Sequence, residues 1–168
     1  MEKIVLTPRI RKFRHQLEKA LNITIHFMGD TADIEGEGIE KYTALSVIEA
    51  LNFGFDLADV LQLKSEDYMI EKLNLKKHVR SSRVSTIKGR IIGLGGRTKK
   101  IIAGLTDCSI ALKDNTVAII GKTSDVEIAK SAILSLIHGS PHSSVYTFLE
   151  RNRKMKKEED QIFNDKDF

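Results

Sequence analysis

The segment GRIIGLGGRTKKII, residues 89–102, places three glycines within four positions and decides the fold class of this chain. Gly93, Gly95 and Gly96 interrupt a region with helical spacing of apolar residues, which predicts two helices joined by a glycine-rich turn. A Walker phosphate loop is excluded because the Gly-Lys-Ser/Thr ending is absent. A dinucleotide-binding G-x-G-x-x-G motif is excluded because Thr98 stands where that motif requires its last glycine.

This turn has the composition of a site for an anionic backbone. Glycines lack the Cβ atoms that would hold a ligand backbone away, and the helix that follows presents unsatisfied N–H groups. Arg97, Lys99 and Lys100 fall in the first turn of that helix, where positive charge opposes the helix dipole unless a phosphate is bound. The alternative is a structural helix-loop-helix with an incidental glycine cluster.

The charge of the chain is unevenly distributed, which the net charge of +4 conceals. Residues 1–70 hold 8 Lys or Arg against 12 Asp or Glu, whereas residues 71–168 hold 19 against 11. No carboxylate occurs between Glu71 and Asp107, and ten basic residues do. Solvated surfaces usually mix both signs, so a stretch of one sign favours a polyanionic partner over a merely soluble face.

The sequence repeats itself at an offset of 85 residues. Residues 23–36 align with residues 108–121, and residues 42–54 align with residues 127–139, without a gap. The identities include Gly36 with Gly121, and the apolar periods match as well. The chain is therefore predicted to contain two copies of one small α/β unit.

The second copy has the clearer pattern of elements. Apolar and polar residues alternate over 109–113, and Asp114-Asn115 forms a polar turn before a second strand, which predicts a β-hairpin. Ser124 and Glu127 have the spacing of a capping box, which predicts the start of a helix that Gly139 ends. With a strand over 68–75 ahead of the helices, the unit is predicted to be an α+β fold with a three-stranded sheet covered on one face, followed by a C-terminal helix.

These residues resemble a known family. The motif GRIIGLGGRTKKII, the hairpin and the following helix resemble a type I KH domain with Gly93-Leu94-Gly95-Gly96 as its GXXG loop. The wider pattern, including LTDCSIALKDNTVAIIG and IHGSPHSSVYTFLERNRK, is similar to the two-KH small-subunit ribosomal RNA-processing factors that partner the Nob endonuclease. The resemblance is strong over residues 68–157, and the short chain resembles the archaeal form.

The resemblance implies two tandem type I KH domains. Residues 1–66 would form a degenerate KH domain without GXXG, residues 67–157 a KH domain with GXXG and a C-terminal helix, and residues 158–168 a frayed tail. It also implies a factor that binds single-stranded RNA near the 3′ end of small-subunit pre-rRNA and assists its processing. A Nob-type endonuclease would be a partner, and the location cytoplasmic, or nucleolar in a eukaryote.

The resemblance further implies which residues contact RNA. The glycine loop would clamp the sugar–phosphate backbone of about four nucleotides. Isoleucines and a leucine would supply an apolar floor for the bases, with only two or three of them in contact: Ile91, Ile92, Ile101, Ile102, Ile110 and Leu112. The expected RNA-binding residues are Gly93, Leu94, Gly95, Gly96, Arg97, Thr98, Lys99, Lys100, Ile92, Arg90 and Lys88.

The sequence departs from the usual KH pattern in two places. Lys99 occupies a position that is often isoleucine. The 85-residue offset places residues 8–11, Pro-Arg-Ile-Arg, where the second unit has its GXXG. The first unit therefore lacks a glycine clamp and is acidic, which favours a role in docking to its neighbour or to a protein.

Other classes of protein find little support. The five histidines are scattered, and His138 and His142 are separated by Gly139 and Pro141, so no metal site is expected. Cys108 at the start of a strand is typical of a small buried residue, and no catalytic constellation is visible. No cofactor, small-molecule substrate, membrane span or secretory signal is expected. The alternative to RNA binding is a protein-docking adaptor with vestigial KH folds.

Overall fold

The computed structural model describes residues 4–164, which form two three-stranded antiparallel sheets with helices packed on them. This confirms the predicted α+β architecture with a C-terminal helix. No helix among these residues has the length and apolar composition to cross a membrane. The strands are β1 (Ile4–Val5), β2 (Thr24–Met28), β3 (Thr31–Glu35), β4 (Tyr68–Asn74), β5 (Ser109–Lys113) and β6 (Thr116–Lys122). The helices are α1 (Pro8–Leu21), α2 (Gly38–Phe53), α3 (Leu57–Leu61), α4 (Val84–Ile92), α5 (Arg97–Thr106), α6 (Thr123–Ile137) and α7 (His142–Asn164).

The internal repeat is confirmed element by element. The 85-residue offset carries β2 onto β5, the start of β3 onto the start of β6, and α2 onto α6. The strand orders also agree, because β3 lies between β1 and β2 as β6 lies between β4 and β5. Both hairpins close through two residues, and Gly29 and Asp114 supply the positive φ that such tight turns require.

The first unit lacks the helix that precedes the glycine loop. Ile4 pairs with Ala32 as Leu73 pairs with Val117, so β1 corresponds to the end of β4. Only residues 6–7 separate β1 from α1, whereas residues 75–96, which include α4 and the loop, separate β4 from α5. Residues 8–11 are thus the first turn of α1, and the absence of a glycine clamp in this unit reflects a missing segment.

The central strand of the second sheet is buried on both faces. Val117 and Ile119 of β6 point into the core formed with helices of the second unit. Ala118 and Ile120, with side chains on the opposite face, belong to the core of the first unit. The first unit therefore covers the sheet face that the helices of the second unit leave open.

Polar contacts reinforce this junction between the units. Lys72 of β4 forms an ion pair with Glu49 of α2. Lys113 Nζ donates a hydrogen bond to the carbonyl oxygen of Asn52, at 2.9 Å. The acidic first unit thus docks on its basic neighbour, and the division of the chain at residue 66 stays a prediction because the two units share a core.

Two details of the predicted helices are wrong. The capping box of Ser124 and Glu127 is not formed, because α6 begins at Thr123, whose N–H and hydroxyl both donate to the carbonyl oxygen of Asp67. The C-terminal helix continues to Asn164, past residue 157 where we expected order to end. The rest of the predicted tail, residues 165–168, lies outside the described residues.

Candidate nucleic-acid interface

The glycine loop joins α4 to α5 by a tight turn with an unusual backbone. Gly93, Gly95 and Gly96 have φ values of 74°, 60° and 78°, which favour glycine strongly over other residues. Leu94, between them, is 96% exposed. The backbone conformation thus accounts for the three glycines, and the loop presents one apolar side chain to solvent.

The three glycines are needed for different reasons. A Cβ on Gly93 would overlap the hydroxyl of Thr98 and lie 2.7 Å from the backbone nitrogen of that residue, so this position closes the loop on α5. Cβ atoms on Gly95 and Gly96 would meet no atom within 4 Å. The space beside Gly95 and Gly96 is therefore open to the backbone of a ligand.

The open space lies at the N-terminus of α5. Gly96 is the N-cap residue and provides no side-chain cap, and the N–H groups of Gly96 and Arg97 donate within the loop to the carbonyl oxygens of Gly93 and Leu94. Arg97 and Lys100 are exposed and Lys99 is half-buried, and the first turn contains no acidic residue. The positive end of a helix dipole and three cations together favour a phosphate group here.

Helical geometry divides the surface around the loop into two flanks. Val84, Ile87 and Ile91 of α4 are buried and mark the face that points into the core. At about 100° per residue, Lys88 and Ile92 lie on one flank of that face. Thr86 and Arg90 lie on the other flank, which faces α6 and α7.

Two residues predicted to contact RNA make internal contacts. The guanidinium of Arg90 donates hydrogen bonds to the carbonyl oxygens of Leu136 and Ser140, at 2.7 and 2.5 Å, and so caps the end of α6. Thr98 is 4% exposed, and its hydroxyl lies 3.1 Å from the hydroxyl of Tyr146. Arg90 and Thr98 are therefore in place to hold the loop against α6 and α7.

The predicted apolar floor is only partly at the surface. Ile91 and Ile102 are fully buried and Ile110 is 8% exposed, so these three residues belong to the core. Ile92 is 38% exposed, and Ile101 and Leu112 are half-buried. The surface that remains for bases is smaller than the motif alone indicates.

Two aromatic side chains beside the loop were not predicted from the sequence. His142 and Tyr146, one turn apart on α7, line a groove that also includes Gly93, Leu94 and Arg97. The i, i+4 spacing within SPHSSVY, residues 140–146, indicated a shared helix face. Their position beside the loop depends on how α7 packs, which no local pattern reveals.

The cysteine and the possible metal ligands of the described residues have structural roles. Burial raises the pKa of the Cys108 thiol to about 11, which suppresses the reactive thiolate. Within residues 4–164, no group of three or more His, Cys, Asp or Glu side chains lies in a position to hold a metal ion. The site offers cations, backbone donors and apolar surface, which together suit binding of a polyanion.

Comparison with known proteins agrees with this geometry. Residues 69–154 match the family model for the second KH domain of PNO1, described as a eukaryotic type KH domain, type I. The KH domain-containing protein MJ0443 of Methanocaldococcus jannaschii is 31% identical over 157 residues, which are 89% of this chain and 69% of that protein. The pre-rRNA-processing protein pno1 of Schizosaccharomyces pombe is 34% identical over 117 residues, 68% of this chain and 48% of that protein.

A solved structure extends the similarity to both units. The chain superimposes with a TM-score of 0.77 and 31% identity on a chain of the a/eIF2alpha–aDim2p–rRNA complex from Pyrococcus horikoshii, covering 91% of this chain and 93% of that one. The chain spans about half to two thirds of the length of the curated relatives described above. On the family model and the archaeal relative, this chain belongs to the PNO1 family of KH-domain proteins.

Proposed function

We propose that this protein binds single-stranded RNA near the 3′ end of small-subunit pre-rRNA and assists its processing during ribosome biogenesis. The name of the fission yeast relative and the rRNA in the archaeal complex support this assignment. The observation that carries the proposal is the open space beside Gly95 and Gly96, at the uncapped N-terminus of α5.

The charge around this space matches an RNA backbone. Residues 72–106 contain no carboxylate, and Arg97 and Lys100 are exposed beside the loop. A phosphate within reach of the first turn of α5 would gain charge-assisted hydrogen bonds without meeting a like charge from α4 or α5. The alternative, a docking adaptor with vestigial KH folds, does not explain why the space beside Gly95 and Gly96 is open.

The predicted RNA-binding residues would have different roles. Gly95 and Gly96 would admit the backbone, with Arg97, Lys99 and Lys100 supplying charge. Lys88 and Ile92, on the flank of α4 that faces away from α6 and α7, would contact the next nucleotides. Arg90 and Thr98 would act as positioning residues, because their polar atoms already bond to α6 and α7.

The proposed role is binding, with no catalytic step assigned to this chain. Cleavage would come from a partner, and the resemblance implies a Nob-type endonuclease. The proposed location is cytoplasmic, or nucleolar in a eukaryote. Co-elution of the full chain with a purified Nob-type endonuclease, with and without RNA from the 3′ end of small-subunit rRNA, tests the partner. Separate elution under both conditions would remove it from the proposal.

The RNA-binding proposal is tested by placing carboxylates at the clamp. The double variant Leu94→Asp/Gly95→Asp introduces two negative charges where the phosphate is expected. Affinity for single-stranded RNA from the 3′ end of small-subunit rRNA should fall by about tenfold or more, because repulsion adds to lost backbone approach. In the parent, log K should fall with log salt at a slope of about −2, for about three neutralised phosphates.

A matched control is available in the first unit. Met28 is 53% exposed and precedes Gly29, whose φ is +66° and whose Cβ position is open, so Met28→Asp/Gly29→Asp makes the same chemical change in a similar turn. The control should retain RNA affinity within about threefold, since it lies in the first unit, outside the carboxylate-free stretch of residues 72–106. Equal losses in both variants, or parental affinity in a normally melting Leu94→Asp/Gly95→Asp protein, would contradict the proposal.

A further inference from the structure

A groove on the α7 flank of the glycine loop shares Leu94 and Arg97 with the clamp, but its two rings have no role in the clamp described above. We call it the α7 groove. It is lined by the side chains of His142 and Tyr146, by Gly93 and Leu94 of the loop, and by Arg97 at the start of α5, and its volume is about 500 Å³. It lies on the opposite side of α4 from Lys88 and Ile92. An RNA strand that crosses the loop from the side of Lys88 and Ile92 would reach the α7 groove next.

The two rings in the α7 groove are held in place by hydrogen bonds at their polar ends. The hydroxyl of Tyr146 lies 3.1 Å from Thr98 Oγ1, and His142 Nε2 lies 2.9 Å from the carbonyl oxygen of Arg90. The rings meet edge to face, with centroids 6.2 Å apart and an interplanar angle of 61°. Both residues remain partly exposed. Rings fixed in this way lose little conformational entropy when a flat ligand binds.

The charges at the α7 groove favour an anionic ligand. Arg97 is exposed at its edge, and the N-terminus of α5 beside it has no side-chain cap. Neither α4 nor α5 contains a carboxylate. The acidic residue of α7 nearest in sequence to Tyr146 is Glu150, one turn further along and exposed. An aromatic platform beside a cation and backbone donors is the combination that binds a nucleotide of a single strand.

We propose that the α7 groove binds one further nucleotide of the RNA strand. Its base stacks on Tyr146, and the phosphate that joins it to the clamped nucleotides contacts Arg97. This inference rests on the proposed RNA-binding function. It extends the footprint from the about four nucleotides of a KH domain to at least five. It also accounts for the hydrogen bonds of Tyr146 with Thr98 and of His142 with the carbonyl oxygen of Arg90, which fix the two rings against the loop.

A fluorescent reporter can be built into the groove because the chain contains no tryptophan. In the full-length Tyr146→Trp variant, an eight-nucleotide RNA from the 3′ end of small-subunit rRNA should quench the fluorescence by stacking. The matched control is Tyr42→Trp in the first unit, at a site that is 77% exposed, and it should not be quenched. Equal quenching in the two variants, or no quenching in Tyr146→Trp while RNA is bound, overturns the proposal.

Affinity measurements then separate the α7 groove from the clamp. Tyr146→Leu should weaken binding of the eight-nucleotide RNA by about fivefold or more, the loss expected for one stacked base. Binding of a four-nucleotide RNA that fills only the clamp should change by less than about twofold. Tyr146→Phe keeps the ring but loses the hydrogen bond to Thr98, so it should lose much less affinity than Tyr146→Leu. If Tyr146→Phe loses as much affinity as Tyr146→Leu, the hydroxyl tether rather than stacking matters, and the proposal is wrong.

The clamp variant makes the two possible failures distinguishable. Leu94→Asp/Gly95→Asp should lose both RNAs. If that variant loses both while Tyr146→Leu binds both like the parent, the α7 groove is not a nucleotide site and the proposed function stands. If the parent protein binds neither RNA at low salt, the proposed function itself fails, and the inference fails with it.

Discussion

Gly121 leaves room for the sulfur of Cys108: a Cβ on Gly121 would lie only 2.6 Å from Cys108 Sγ. The same relationship occurs in the first unit, where a Cβ on Gly36 would lie 2.9 Å from Cγ2 of Ile23. The 85-residue offset carries each of these pairs onto the other. The shared glycine of the repeat therefore has one physical reason in both units, which is the side chain at the start of the neighbouring strand.

This packing predicts that the effects of two substitutions depend on each other. Gly121→Ala should lower the free energy of unfolding by about 1–3 kcal/mol, because the new methyl group overpacks against Cys108. The double variant Gly121→Ala/Cys108→Ala should recover much of that loss, since removal of the sulfur makes space. Urea unfolding of the parent, Gly121→Ala, Cys108→Ala and the double variant measures the coupling free energy between the two positions. Additive losses would show that the glycine is required for another reason.

The thiol of Cys108 should be protected in the folded protein. It is 5% exposed, and burial raises its pKa to about 11, so the thiolate is scarce near pH 8. Because it is the only cysteine of the chain, a thiol-specific chromophore reports on it alone. Labelling at pH 8 should be slow in buffer and fast in denaturing urea. Equal rates in the two solutions would contradict the burial of this side chain.

A half-buried ion pair attaches α7 to α6. Lys156 Nζ donates hydrogen bonds to both carboxylate oxygens of Asp125, at 2.8 and 2.9 Å, which raises the pKa of Lys156. Lys156→Met leaves the carboxylate of Asp125, whose side chain is only 5% exposed, without this partner. We expect a loss of about 1–3 kcal/mol in thermal unfolding, less than for a fully buried pair because Lys156 is partly solvated.

The control for this prediction is a second lysine on the same helix. Lys154 is exposed and lies 4.0 Å from Glu158 in an i, i+4 pair. Lys154→Met should change the stability by less than about 0.5 kcal/mol. Similar melting temperatures for the two variants would mean that α7 is held by its apolar contacts alone.

The junction between the units predicts that the second unit depends on the first. Ile120 is fully buried in the core of the first unit, although it belongs to the sheet of the second. In the full chain, Ile120→Ala should cost about 2–4 kcal/mol. In a fragment without residues 1–66 the side chain faces solvent, so the same substitution should cost much less and should reduce self-association. Equal costs in the two contexts would contradict the shared core.

How much of this molecule follows from its sequence depends on the range of the interactions involved. The hairpins, the α6–Gly139 helix end and the glycine loop were predictable because each rests on residues close in sequence, such as Asp114-Asn115. The 85-residue repeat also predicted that the two units share one arrangement of strands and helices. Short-range patterns and the repeat together were sufficient for the elements of the second unit, but they did not predict that the first unit lacks a counterpart of α4.

The features that could not be predicted depend on contacts across the chain. Alternation along β6 indicates two faces, yet nothing local tells that Ile120 joins the other unit's core. Arg90 has the same charge as Arg97, but carbonyl oxygens of α6 and the following loop hold its guanidinium. Tyr146 reaches the loop only because α7 folds back over α5. Which residues make up the site was therefore easier to predict than the role of each residue, that is, the division of roles among them.

That division can be tested within the glycine loop itself. Gly93→Ala should destabilise the fold by about 2–4 kcal/mol, because its methyl group would overlap Thr98 and its φ is positive. Gly96→Ala has only the backbone penalty, about 1 kcal/mol, since the space around it is empty. Relative to the stability that each variant loses, Gly96→Ala should nevertheless weaken RNA binding more than Gly93→Ala does. The reason is that the empty space beside Gly96 is where the ligand backbone is expected. Thermal unfolding and RNA titration of both proteins, compared below the melting temperature of the weaker one, give the two quantities. If Gly96→Ala melts within a few degrees of the parent and binds RNA equally well, close approach of the backbone at this position is not part of binding.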